Sequence, residues 1–297
     1  MMSDDAGETP SREPAGPDKK KPLALRPILW LGGIVVAALG IALTNALVPQ
    51  FGKGINQITQ SGEAVSVDDV SIWRVGSYLA FPFEFSPDQI ETLNEQGEQD
   101  QWLVDQGAVD MGSVEVRLAL SGNRADTVRI VNMTPVSDCS QSPYSGALFI
   151  SPPAGGESIT RLSFDLDDPN PVAKTTNVED GTFEEEPYFA NNTMSLKQDE
   201  QQVFIVTATT QLHLCSFELE LSILEDGEIR TQTIDDHGSP FQVTARLPDR
   251  RQWGQVYLGG VLCAGRYVAA TERWLQSTGE SLDDVAVCDN EGNELPE

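Results

Sequence analysis

LHLCSFELELSIL, residues Leu212 to Leu224, decides the fold. Leu214, Leu219, Leu221 and Ile223 are apolar, Phe217 keeps the odd-numbered face, and polar residues stand between them. A period of two is the mark of a strand with one buried face. A helix would need apolar residues at i, i+3, i+4 and i+7, and few windows beyond residue 112 show them. The stretch runs into Glu225-Asp226-Gly227-Glu228, where Asp-Gly is a favoured hairpin pair. EIRTQTID is therefore its antiparallel partner, and SPFQVTARL follows as the last strand of the set.

The same period extends upstream. QQVFIVTATT is a strong strand signal, and YFANNTMSLK contains a strand ending before Gln198. SITRLSFDL puts Leu162, Phe164 and Leu166 on one face, and GALFIS is a short strand closed by Pro152-Pro153. In SVEVRLALSG, Val114, Val116, Leu118 and Leu120 point one way. After a turn at Gly122-Asn123 comes DTVRIVNMT, and the two are expected to pair as antiparallel neighbours. Phe81, Phe83 and Phe85 alternate like a strand. Ser86-Pro87-Asp88-Gln89 reads as a capped helix start, with the helix over about 87–96, Ile90 and Leu93 inward, and Gly97 ending it.

About eight short one-faced strands predict a mainly β chain. Each apolar face needs a second sheet to cover it, so the expected form is an antiparallel β-sandwich of immunoglobulin-like type, with a closed barrel as the alternative. The expected layout is a disordered cytoplasmic tail over 1–26, a transmembrane helix over 27–48 and a juxtamembrane stalk over 49–77. The extracytoplasmic sandwich with its short helix follows over 78–247, then a C-terminal appendage and acidic tail over 248–297.

The membrane reading rests on Pro27–Val48, PILWLGGIVVAALGIALTNALV, which carries no charge. As a helix it would be about 33 Å long, against a hydrocarbon core of roughly 30 Å. Lys19, Lys20, Lys21 and Arg26 precede it, so the tail is expected inside and the rest outside, in a single pass through the cell membrane. A cleaved signal peptide is the alternative, with Thr44 and Ala46 as the small cleavage-site residues. Either way the remainder is exported.

Charge supports that division. Residues 1–48 hold five basic and five acidic side chains, so the net charge of −27 falls wholly on the remaining 14 basic and 41 acidic ones. Such a surface repels nucleic acid, which is not expected as a partner. Cys139, Cys215, Cys263 and Cys288 all lie beyond the apolar run, and an even number in an exported domain is read as two disulfides. Three pairings exist. Cys263 and Cys288 are close enough in sequence to staple the appendage, worth ~3 kcal/mol in the chain-entropy model, which leaves Cys139 for Cys215.

The pattern NRADTVRIVNM, followed by SFDLDDP, YFANNTMSLK, VFIVTATT, HLCSFELEL and SPFQVTA, resembles uncharacterised actinobacterial single-pass membrane proteins with an exported β-rich domain. The likeness covers about residues 75–247. It implies a tethered β-rich domain and transfers no functional residue.

No residue is nominated as catalytic, cofactor-binding or metal-ligating. A serine hydrolase needs a base beside its nucleophile. His213 reads as a strand residue and His237 as part of an Asp-Gly-Ser-Pro turn, and no G-x-S-x-G occurs. Asp165, Asp167 and Asp168 offer oxygens to Ca²⁺ but lack the EF-hand pattern, so a solvated turn is the preferred reading. No cofactor is expected. The expected function is a binding, sensing or scaffold module of the envelope, engaging the membrane through its helix and an envelope protein or polymer through its domain. A cell-envelope hydrolase is the alternative.

Overall fold

The structure, a computed structural model, describes residues 62–152, 161–175, 184–277 and 287–289. The tail, the apolar run and the first part of the stalk lie outside the described residues. Among those described, no helix is long and apolar enough to cross a membrane.

The chain is mainly β. The first sheet runs in the order β1 (Val65–Ile72), β4 (Ser113–Gly122), β10 (Gln201–Thr209), β7 (Arg161–Asp165), β8 (Lys174–Thr175). The second sheet is built on β11 (Leu214–Glu225), the stretch from which the sequence reading began. Phe217, Leu219, Leu221 and Ile223 are buried on one face of β11, as its period requires. The Asp-Gly turn closes a hairpin to β12 (Glu228–Ile234), with Glu225 opposite Glu228. Along its other edge β11 pairs with β5 (Val128–Gln141), which in turn carries β9 (Met194–Leu196). A single apolar core lies between this region and the first sheet, with Val116, Leu118, Phe164 and Val206 from one side and Ile130, Phe217, Leu219 and Leu221 from the other.

Beyond that core the second sheet continues. The N-terminal part of β11 pairs with β13 (Phe241–Thr244), followed by β3 (Val109–Met111), β2 (Ser77–Ala80), β6 (Ala147–Ser151), β14 (Gln255–Leu258) and β15 (Val268–Ala269). This extension is buried on both faces. In β6, Ala147 and Phe149 join one cluster while Leu148 and Ile150 join another, and Tyr257 and Val256 of β14 divide the same way. The helices α1 (Pro87–Asn94) and α2 (Gln99–Asp105) cover the first face, burying Leu93 and Leu103 among Phe81, Phe85, Phe149 and Tyr267. Ser86 and Gln89 close a capping box at the start of α1. The opposite face packs Trp253 and Trp274 with the Cys263–Cys288 disulfide. Cys139–Cys215 joins β5 to β11 at a break in their register.

Several expectations are corrected. The sheets are mixed, with β7 parallel to β10, β3 to β13 and β6 to β14, so the all-antiparallel pattern does not hold. β4 and β5 are not neighbours; they lie in opposite sheets. Arg124, in the connection between them, is buried, and it bonds Glu225 and the carbonyls of Gly62, Glu63 and Asn123. Within the segment expected as a stalk, residues 65–72 form β1, an edge strand of the first sheet. Phe81, Phe83 and Phe85 follow β2 outside any strand; Phe81 and Phe85 are buried and Phe83 is exposed. The C-terminal region supplies β14 and β15 at the edge of the second sheet, followed by the short helix α3 (Glu272–Gln276).

Candidate functional site

Two crossings between the sheets run side by side. The chain leaves β1 through Trp73-Arg74-Val75-Gly76 and enters β2 in the other sheet. It returns from β3 to β4 through Gly112, whose φ of +82° suits glycine and strains any other residue. Backbone bonds hold both crossings: Trp73 N–H donates to Glu115 O at 2.7 Å, Gly112 N–H to Thr244 O at 2.7 Å, and Thr210 N–H to Gly112 O at 3.1 Å. Between them opens a cleft of about 330 Å³.

The cleft mixes apolar surface with charged side chains that are paired with one another. Arg74 donates from Nε to Asp110 Oδ1 at 2.9 Å and from Nη2 to Oδ2 at 2.6 Å, a two-pronged pair that fixes the guanidinium plane. Arg161 pairs with Glu115 across the cleft wall. Asp110 is buried, and burial pushes its carboxyl above the ordinary value, with the bonds and charge of Arg74 opposing and the charge of Asp100 adding. Trp73, Tyr78 and Met111 supply apolar surface.

Tyr78 and Met111 also bound a second, apolar pocket of about 80 Å³, with Leu148, Ile150, Trp253 and Trp274 behind them. Arg246 lies 5.6 Å from the centre of the Tyr78 ring and Arg250 lies 4.2 Å from that of Trp274. Four of the 14 basic residues beyond residue 48 thus line two adjoining pockets, on a chain that is otherwise strongly acidic.

The residues singled out by sequence lie elsewhere. All four cysteines are in disulfides. His213 lies 3.8 Å from Asp167, whose Oδ1 accepts Thr210 Oγ1 at 2.9 Å and whose Oδ2 accepts Gln211 N–H at 2.6 Å. The acid therefore ties a turn together, and the hydroxyl faces the acid and not the imidazole. His237 sits at φ +54° in an exposed turn and contacts Asp236. Among the described residues neither ring bonds a hydroxyl or thiol. Asp165 and Asp168 cap the N–H groups of Asp167 and Asn170. Among the described residues, no three acidic, His or Cys side chains are placed to hold a metal ion.

Sequence reasoning passed over Trp73, Arg74, Asp110, Glu115 and Arg161. The Trp-Arg pair at the end of a strand and before Gly76 was the available signal. The 36-residue separation of Arg74 from Asp110 hid their partnership. No family model, curated protein or solved structure matches the chain.

Proposed function

We propose that this chain is a membrane-tethered, extracytoplasmic binding module of the cell envelope, and that it takes its ligand in the cleft between the two sheets. The reading is carried by the chemistry of the cleft. Two fixed arginine–carboxylate pairs and an aromatic wall suit recognition of a ligand. The two disulfides support export, since such bonds persist in oxidising compartments. Pro27–Val48 with its basic flank supplies the tether. In this reading the two-sheet half is an immunoglobulin-like frame, and binding is the task of the crossings at its side.

A photo-reactive residue at Val75, which lines the cleft and is exposed, tests the proposal in cells. Irradiation should give an adduct from position 75 and none from a control at Ile229, exposed on β12. Equal yields from both positions, or no adduct at 75, would contradict it.

A further inference from the structure

We infer that the cleft binds a neutral, polyhydroxylated ring, that is, a saccharide unit. The inference rests on the binding reading above and names its ligand class.

Charge balance is the first argument. Arg74 is matched by Asp110 and Arg161 by Glu115, so the charged groups lining the cleft sum to zero. An incoming phosphate or carboxylate would meet two carboxylates, and arginines whose charge is already matched. A neutral ligand meets no such opposition. The second argument is hydrogen-bonding capacity. A guanidinium has five N–H donors and each carboxylate oxygen has two lone pairs. The Arg74–Asp110 pair uses two donors and one lone pair on each oxygen, and the remainder stay in fixed planes. A hydroxyl both donates and accepts, so vicinal hydroxyls on a ring can bond a guanidinium and its carboxylate together. An anion that only accepts, or an ammonium that only donates, would use half of this set.

The third argument is the wall. Trp73 and Tyr78 are half-buried and line the same cleft. An indole or phenol face suits the C–H face of a sugar ring, which is apolar on one side and hydroxylated at its rim. The fourth is size. About 330 Å³ lies at the lower end of ligand pockets, which run roughly 300–1,000 Å³. That admits a short saccharide and excludes a folded partner. A purely apolar ligand would shut water away from the N–H donors and carboxylate lone pairs that the two ion pairs leave over, and would offer them no partner.

The test uses the full chain in a detergent without a sugar headgroup. Saturation-transfer NMR is recorded with glucose, galactose, mannose, arabinose and cellobiose, and with glucuronate and inorganic phosphate as anionic probes. At least one neutral sugar should show transfer to its ring protons. Trp73→Ala should weaken that binding about tenfold or more with the thermal midpoint little changed, and Trp73→Phe should keep part of it. Arg161→Met, at a partly exposed position, gives a second variant should Trp73→Ala fold poorly, and it too should weaken binding. Transfer only to glucuronate or phosphate, lost in Arg161→Met, would overturn the saccharide assignment and leave the cleft a binding site. Silence from every neutral sugar while position 75 still cross-links in cells would do the same. Sugar binding unaffected by either variant would overturn the assignment to this cleft.

Discussion

Replacing Arg74 with Met should destabilise the domain in a way that acid partly repairs. The substitution removes both hydrogen bonds and the one opposite charge that directly pairs with Asp110, while a side chain of similar length still fills the space. Asp110 keeps only 10% of its side-chain surface exposed, and Arg74 keeps 19%. Breaking a buried ion pair on one side costs about 3–5 kcal/mol. Solvent reaches the guanidinium, so the lower end, about 3 kcal/mol at neutral pH, is expected. Burial already holds the Asp110 carboxyl above 3.8, and loss of Arg74 raises it further. Between 3.8 and that raised folded value, the folded state binds a proton that the unfolded state has lost. Stability therefore falls as pH rises through this window and is regained as pH falls. Urea unfolding with disulfides intact, at pH values from neutral to about 4.5, measures the effect. The deficit of Arg74→Met should shrink steadily with acid, and Arg74→Met/Asp110→Asn should show a smaller deficit with little pH dependence. A cost below about 1 kcal/mol, or a deficit unchanged by pH, would refute the reasoning.

Arg124→Met should cost about 3 kcal/mol in the same assay, because it leaves the buried Glu225 with only the exposed Arg230, 3.5 Å away, and leaves three carbonyls without their donor. Arg124→Met/Glu225→Leu should recover part of that loss. Gly146→Ala should cost about 1–3 kcal/mol, since a Cβ there would lie 2.4 Å from the backbone nitrogen of Phe83. Cys263→Ser/Cys288→Ser opens a loop of 25 residues and should cost about 3 kcal/mol, with hydrogen exchange rising around Trp274 before it rises in β11.

Sequence showed the half of the molecule whose strands have one wet face. β4 and β11 alternate cleanly because solvent or polar contacts take one side and the core takes the other. The extension was harder to read for the opposite reason. ALFI in β6 and VYL in β14 are buried on both faces, so their apolar runs carry no period and resemble any other buried segment. Parallel partnership of β6 with β14 joins segments more than 100 residues apart, which local pattern does not encode. The hairpin wrongly expected for β4 and β5 followed from reading Gly122-Asn123 as a tight turn; buried Arg124 instead anchors a change of sheet. The capping box of α1 was legible because its chemistry is local. The cleft was not, because its pairs form across crossings that only the tertiary fold brings together.

Protease treatment of intact cells tests the central claim, a stapled β domain presented outside the membrane on Pro27–Val48. With an epitope beside Asp5 and a second on the exposed Asp226-Gly227 turn, the account predicts loss of the turn epitope and survival of a short, membrane-bound fragment bearing the first. Loss of the N-terminal epitope in intact cells, or survival of the turn epitope until lysis, would contradict it.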